Sequence, residues 1–302
     1  LEEMMYVPDF VALYEIKPFI IMALDNESIR VAVKDYLEGG MKKDAIIKKY
    51  GPIGDWNTSE VTDMSYLFKD IVYYNTFKYS VISEFNEDIS KWDTSKVTNM
   101  EELFRGAKSF NQPIGNWDTS SVTNMNCMFY NAYKFNQDIS NWDTSKVTTM
   151  KYMFCRATNF NQPIERWDTS IVTAMECMFY RARSFDQDIS KWNTSNVTRM
   201  NSMFKGARSF NQPIGEWDVS NVTNMSNMFD NAVKFNRPIN KWDVSNVTNM
   251  RMMFSGAINF NKRLTTWGNK LPRNAYLRYI FSSMKAGIVK KIAPWYYFQV
   301  YN

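Results

Sequence analysis

The stretch FNQDISNWDTSKVTTMKYMFCRA, residues 135–157, returns with few changes every 25 residues along this chain of 302 residues. Its tryptophan marks the period, which is constant over eight positions: Trp92, Trp117, Trp142, Trp167, Trp192, Trp217, Trp242 and Trp267. Trp56 belongs to the same series after an insertion of 11 residues. A unit this short cannot bury its own aromatic and methionine side chains, whereas stacked units cover each other. The sequence therefore predicts a solenoid of about eight 25-residue coils.

The apolar spacing within each unit predicts its local structure. In the second half of the unit, the apolar residues have the spacing of a short helix: Val122, Met125, Met128, Phe129 and Ala132. Ser120 precedes this segment and is a suitable N-cap. In the first half, the segment from Phe135 to Ile139 alternates apolar and polar residues as a brief strand does. We therefore predict an α/β solenoid with one short strand and one short helix in each coil.

Two polar motifs recur with the same period. An asparagine follows the first phenylalanine of most units, as in Asn111 and Asn136, with Asp186 in one unit. We expect these side chains to form an amide ladder along the stack that satisfies backbone groups of the turns. The Asp-Thr-Ser motif, as in residues 143–145, bends the chain and offers side-chain oxygens to unpaired backbone donors.

The chain divides into three parts. Residues 1–55 are predicted to be a helical N-terminal cap, with one helix through Ile29 and Tyr36 that Asn26 or Ser28 caps, and a second near Tyr50. Residues 56–267 are the repeats, with an insertion near 70–82. Residues 268–302 are a basic, aromatic tail that either caps the stack or docks elsewhere, and its segment 274–292 is predicted to be helical.

The composition argues against catalysis. Histidine is absent, which removes the most common general base and metal ligand. The three cysteines, Cys127, Cys155 and Cys177, form no CxxC pair, and no phosphate-binding loop occurs, so we expect no metal site and no cofactor. A glycan-active protein would use the carboxylates beside the tryptophans, such as Asp93 and Asp143. Because they recur identically in each unit, we expect them to be structural, and we predict a non-enzymatic protein without a small-molecule substrate.

Variable positions on a repeated scaffold are candidates for partner binding. The residue before each tryptophan varies between units, and its cations are Lys91, Arg166, Lys191 and Lys241. Further candidates lie in the insertion and the tail: Tyr73, Tyr74, Lys290, Lys291 and Trp295. The predicted partners are proteins, and a second hypothesis has the basic tail bind nucleic acid or an anionic membrane. The N-terminal residues 1–56 carry more acidic than basic side chains, whereas the chain after Asp243 carries basic side chains and no acidic ones. This difference in charge also permits head-to-tail self-association.

The repeated text F-N-x-x-I-x-x-W-D-x-S-x-V-T-x-M-x-x-M-F-x-x-A, found from Phe85 to Ala257, resembles the 25-residue repeat of the BspA-like surface proteins, a relative of the leucine-rich repeat. The resemblance implies a leucine-rich-repeat-like solenoid and a role in binding or adhesion. It brings no catalytic residues.

The leader Ile29-x-x-Ala32-Val33-x-x-Tyr36 is similar to the lead-in of the protist and large DNA virus versions of this repeat. Bacterial versions usually carry a secretion signal and an anchor, and neither is recognisable in this sequence. We therefore expect an intracellular or virion-associated protein in preference to a secreted one, with the cell surface as an alternative.

Overall fold

The computed structural model describes residues 22–70 and 81–301, with side chains to residue 297. Its helices lie at the two ends: α1 (Asn26–Glu38), α2 (Gly40–Tyr50), α3 (Ala286–Ile292) and α4 (Pro294–Tyr301). Short 3-10 turns occur at Ile53–Asp55, Val81–Glu84 and Trp267–Asn269. Within the described ranges, no helix is long and apolar enough to cross a lipid bilayer.

The repeated segment is built from turns. In residues 56–70 and 85–266 the structure contains no α-helix, and its β-structure is limited to isolated parallel bridges such as Asn99↔Asn124. The predicted α/β leucine-rich-repeat-like solenoid, with a short strand and a short helix in each coil, is therefore wrong. Each 25-residue unit is instead a coil of consecutive turns, and neighbouring coils are joined by one bridge and by backbone hydrogen bonds.

Consecutive turns account for the apolar spacing that suggested a helix. The N–H of Met128 donates to the carbonyl of Met125 three residues earlier (3.3 Å), but the N–H of Phe129 donates to Met153 in the following coil (2.9 Å). Bonds inside the coil and bonds to the next coil alternate in this way along the segment. Cys127 has a φ of 56°, which lies in the left-handed region and interrupts any α-helix. The period of about three residues thus comes from turns.

Aromatic columns form the core of the stack. Trp167 and Trp192 have ring centroids 6.5 Å apart and planes within 2° of parallel. The indole N–H of Trp192 donates to the carbonyl of Ile164 in the preceding coil at 3.0 Å. The phenylalanines form a parallel column in which Phe129 and Phe154 lie 5.6 Å apart. These side chains are buried, because each coil covers the rings of its neighbours.

The predicted amide ladder is confirmed. The backbone N–H of Asn136 donates to Asn111 Oδ1 at 2.8 Å, and the N–H of Asp186 donates to Asn161 Oδ1 at 2.9 Å. The Asp-Thr-Ser motif bends the chain as expected, since the N–H of the serine donates to the aspartate carboxylate two residues earlier. Because these bonds recur once per coil, they fix the register of the stack.

The first coil is covered by α1. Asp25 caps this helix in place of the predicted Asn26 or Ser28, and its Oδ1 accepts the backbone N–H of Ser28 at 2.7 Å. The apolar face of α1 is buried. Arg30 donates to the carbonyl of Ser65 at 2.6 Å, so the helix also satisfies a backbone acceptor of the first coil.

The chain after Trp267 forms one further coil, although its sequence lacks the repeat motif. The N–H of Met250 donates to the carbonyl of Tyr276 at 3.0 Å, in the pattern that joins all neighbouring coils. The predicted helix over 274–292 is wrong for most of its length, because residues 274–285 are turns and α3 covers only Ala286–Ile292. Two extra residues shift this coil out of the 25-residue period, which is why the repeat motif is not recognisable there.

Candidate interaction surfaces

The residues before the tryptophans form one exposed column along the stack. The predicted cations of this column are all exposed: Lys91, Arg166, Lys191 and Lys241. Lys91 is paired with Asp55 (2.8 Å) and Lys241 with Glu216 (2.5 Å), the carboxylates at the same position of the preceding coil. The other two make no ion pair with any residue in the described ranges. Two predicted residues of the insertion lie outside the described residues: Tyr73 and Tyr74.

The predicted residues of the tail have different surroundings. The Nζ atom of Lys290 lies 5.6 Å from the ring centroid of Tyr297, and Lys291 is exposed. The indole N–H of Trp295 donates to the carbonyl of Leu264 at 2.8 Å. In the regular coils, most indole N–H groups donate to the carbonyl of the isoleucine in the preceding coil, and we call this series of bonds the tryptophan ladder. Leu264 occupies the isoleucine position of the last regular coil, so Trp295 in α4 adds one more bond to this ladder. Trp295 is therefore part of the packing of this end of the stack.

The carboxyl of Asp143 and the thiols of Cys127 and Cys155 have pKa values shifted away from those of a general acid and of a thiolate nucleophile. The hydroxyl and N–H of Ser145 donate to Asp143 and hold the pKa of this carboxyl below its ordinary value, whereas a general acid needs a raised pKa. Burial raises the pKa of the Cys127 thiol to about 11 and that of Cys155 to about 12. Such thiols stay protonated at neutral pH, and the thiolate is the nucleophile and metal ligand. In residues 22–70 and 81–297, no cluster of carboxylates and thiols is placed to hold a metal ion.

A surface that the sequence analysis missed lies on another side of the stack. Its side chains come from three adjacent coils, and we call it the arginine–tyrosine surface: Arg156, Tyr180, Arg181, Arg183 and Arg208. The guanidinium carbons of Arg156 and Arg181 lie 6.0 Å and 5.4 Å from the ring centroid of Tyr180. Both guanidinium groups thus lie within the distance of about 6 Å at which cation–π contacts occur.

The backbone register places the remaining cations beside this cluster. The N–H of Ser209 donates to the carbonyl of Arg183 at 3.2 Å, so the segments that carry Arg183 and Arg208 lie side by side in neighbouring coils. Parallel segments joined in this way are about 5 Å apart. Arg181 lies against Gly206, where a Cβ atom would lie only 3.0 Å from Arg181 Cγ. The backbone segments that carry the four arginines therefore lie side by side in three adjacent coils.

These cations are not neutralised by neighbouring acids. Some cations elsewhere on the stack are paired with carboxylates, as in Lys205 with Asp230 (2.9 Å) and Lys151 with Glu176 (3.3 Å). The four arginines of the arginine–tyrosine surface make no such pair among the described residues. The surface therefore has unused capacity to donate hydrogen bonds to an anionic partner.

Two of these arginines adopt an unfavourable backbone conformation. Arg156 (φ 59°) and Arg181 (φ 54°) are left-handed, which costs an L-residue roughly 1–2 kcal/mol. The equivalent positions of the other regular coils carry residues that accept this conformation more easily: Gly106, Asn131, Gly206, Asn231 and Gly256. An alignment of the units on their tryptophans shows that arginine replaces glycine or asparagine at these two positions. Only the φ angles show that the two arginines are left-handed and therefore strained.

Comparison with known proteins identifies the repeat. The family described as "Mycoplasma protein of unknown function, DUF285" matches residues 41–77, 74–188, 161–267 and 183–295. No curated protein matches the chain. The family matches confirm the resemblance to a BspA-like repeat family, and they cover the repeats, α2 and most of the final coil. The chain therefore belongs to the DUF285 family of repeat proteins.

Proposed function

We propose that this protein is a non-enzymatic interaction protein whose arginine–tyrosine surface binds an acidic surface of a partner protein. The observation that carries the proposal is the pair of left-handed arginines, Arg156 and Arg181, at positions where glycine or asparagine would fit at lower cost. A backbone strained in favour of a particular side chain points to a function of that side chain. Here the side chains are cations that form no ion pair with any residue that the structure describes.

The composition of the surface favours a protein partner. Arginine binds carboxylates through two parallel hydrogen bonds, and tyrosine offers a large contact area at a low cost in conformational entropy. Both residue types are enriched at protein interfaces. The ring of Tyr180 already contacts two guanidinium groups in the free protein, which reduces the side-chain freedom that binding would remove. The turns and ladders of the coil stack hold all these groups on one rigid scaffold.

The test replaces the strained arginines. In the double variant Arg156→Asn, Arg181→Asn, relief of backbone strain offsets the lost cation–π contacts, so we expect the free energy of unfolding to stay within about 1 kcal/mol of wild type. Binding should fall at least tenfold, because one central arginine commonly contributes 1.4 kcal/mol or more. The matched control is Arg166→Asn, Lys191→Asn, which removes two exposed, unpaired cations from adjacent coils on the tryptophan side.

The measurement uses immobilised protein as bait in an extract of the native source, with quantitative mass spectrometry of the captured proteins. The proposal expects acidic proteins that the wild type and the control variant capture, and that the Arg156→Asn, Arg181→Asn variant loses. If the surface variant retains every captured protein, the arginine–tyrosine surface is not the binding site. If only the control variant loses them, the column before the tryptophans is the interface.

We further propose an intracellular or virion-associated location. The support is the similarity of the leader Ile29-x-x-Ala32-Val33-x-x-Tyr36 to the protist and large DNA virus versions of the repeat. Detection of the protein by antibody in purified virions or in the soluble cell fraction is the expected result. Labelling of intact cells at their surface would instead support adhesion.

A further inference from the structure

The last coil carries backbone donors whose equivalents in the other coils, apart from the N–H of Met125, donate to the next coil. In the regular coils, alternate N–H groups donate to carbonyls of the next coil, as Phe254 does to Ile280 at 2.8 Å. The equivalent donors of the last coil are the N–H groups of Leu277, Tyr279, Phe281 and Ser283. None of them has an acceptor within residues 22–70 and 81–301, although the N–H of Ile280 between them makes its turn bond to Leu277 (3.3 Å). The stack therefore ends in a row of four N–H groups without acceptors.

The conformation of this row favours an electron-rich ligand. Tyr279 (φ 61°) and Ser283 (φ 69°) are left-handed, as are the equivalent residues of the other coils. In the regular coils the same conformation accompanies alternate N–H groups that donate to carbonyls of the next coil, as Met252 does to Arg278 (3.2 Å), so the open N–H groups of the last coil are placed to donate to carbonyl oxygens. A cleft of about 580 Å³ lies beside the row and is lined by Leu277, Tyr279 and Trp295. It is large enough to admit an extended backbone and its side chains.

The charge around the cleft selects the ligand further. After Asp243 the sequence has nine lysines and arginines and no acidic residue. Arg273 and Arg278 line the cleft, and neither forms an ion pair with a described residue. Arg278 donates to the hydroxyl of Tyr279 at 2.7 Å, which holds its guanidinium at the edge of the cleft. The site thus combines backbone donors with unpaired cations.

The opposite end of the stack differs in a way that argues against a second copy as the occupant. For a second copy to continue the stack, its first coil would have to offer its carbonyls to the open N–H groups. In this chain those acceptors are already used in part, since Arg30 donates to Ser65 (2.6 Å) and to Asp63 (3.3 Å) and α1 lies over the coil. This favours an extended segment with free carbonyls as the occupant.

We propose that the last coil binds an extended acidic peptide segment of a partner protein, which adds to the end of the stack as a further coil edge. Its carbonyls accept from Leu277 and Tyr279, and its carboxylates contact Arg273 and Arg278. Such addition of a backbone to an open edge is an established mode of peptide recognition. This site is separate from the arginine–tyrosine surface, and the two proposals are independent of each other.

The experiment uses the full chain and a fluorescein-labelled decapeptide of alternating glutamate and valine. Fluorescence anisotropy should show binding of this peptide and at least tenfold weaker binding of the version with glutamine in place of glutamate. The variant Arg273→Glu, Arg278→Glu should weaken binding at least tenfold, and Arg273→Glu alone should weaken it severalfold without disturbing the tyrosine contact. The matched control Arg183→Glu, Arg208→Glu reverses two arginines of the arginine–tyrosine surface and should bind the peptide as the wild type does.

Amide hydrogen exchange provides the backbone readout. The N–H groups of Leu277 and Tyr279 should exchange at least tenfold more slowly in the complex, while those of Glu102 and Phe104 in an interior coil stay unchanged. The absence of added protection would overturn the proposed pairing. Loss of binding in the Arg183→Glu, Arg208→Glu control would place the peptide on the arginine–tyrosine surface and overturn this site alone. Tighter binding of a thymidine 20-mer or of phosphatidylserine vesicles than of the peptide would replace the partner by nucleic acid or membrane.

Discussion

The tryptophan ladder contains its own control for the strength of one buried hydrogen bond. Trp242 and Trp267 stack on each other at 6.3 Å and are both 1% exposed. The indole N–H of Trp242 donates to the carbonyl of Ile214 at 3.0 Å, whereas the indole N–H of Trp267 has no acceptor among the residues that the structure describes. Substitution of each tryptophan by phenylalanine removes the same ring volume from neighbouring sites. The packing loss therefore cancels when the two variants are compared.

The hydrogen bonds do not cancel. Trp242→Phe removes a bond worth about 1 kcal/mol, and we take the lower value because the carbonyl of Ile214 keeps its bond from the N–H of Trp217 (3.3 Å). Trp267→Phe removes a buried donor without an acceptor, which lowers the cost of folding by about 1–3 kcal/mol. We therefore expect Trp242→Phe to be less stable than Trp267→Phe by about 2–4 kcal/mol. Urea unfolding followed by circular dichroism measures the difference, and an equal or larger loss in Trp267→Phe would refute the reasoning.

Three further predictions concern single positions of the stack. Thr144→Val removes a 2.9 Å hydrogen bond between coils, but because Val219 occupies the same position of its own coil, we expect a loss of less than about 1 kcal/mol in urea unfolding. Gly115→Ala places a Cβ atom 2.3 Å from a carbonyl oxygen of the next coil, and it should cost about 1–3 kcal/mol. In its control, Gly287→Ala in α3, the added Cβ atom has no other atom within 4 Å. This variant should raise the free energy of unfolding by about 0.5–1 kcal/mol. Burial raises the pKa of the Cys155 thiol from 9.0 to about 12. As the pH rises above 9, the thiol therefore ionises in the unfolded chain but not in the folded one. Its contribution to the free energy of unfolding is complete below pH 9 and is lost as the pH approaches 12. Between pH 9 and 12 the free energy of unfolding of the wild type should fall faster than that of Cys155→Ala, by up to about 1.4 kcal/mol per pH unit. Parallel plots of unfolding free energy against pH for the two proteins would contradict the raised pKa.

Much of the structure could be predicted from spacing alone. The tryptophan period identified the repeated unit, and the asparagines after the phenylalanines identified a ladder that the structure contains. The helix through Ile29 and Tyr36 was predicted and is α1, although Asp25 caps it in place of Asn26 or Ser28. Such features follow from which residue types recur and at what distance along the chain. They need no knowledge of which atoms meet across coils.

The helix predicted in each coil failed for a definite reason. Apolar residues three or four positions apart, such as Met125, Met128 and Phe129, are compatible with a helix and also with consecutive turns. The two differ in the destination of each N–H, which is the carbonyl four residues back in a helix and a carbonyl of the next coil for Phe129. The left-handed residues that make turns possible, among them Cys127 and Tyr152, are ordinary side chains that give no sequence signal.

The sequence by itself determined the period, the members of the core and the ladder side chains, because each of these depends on intervals within one chain segment. Only the tertiary structure decided that the coils consist of turns, that Arg156 and Arg181 are strained around Tyr180, and that the last coil ends in unused donors. These properties depend on contacts between coils, in which a backbone N–H of one unit donates to a carbonyl about 24 residues away in the next unit. A carbonyl of the next coil becomes an acceptor only after that coil has been stacked in register.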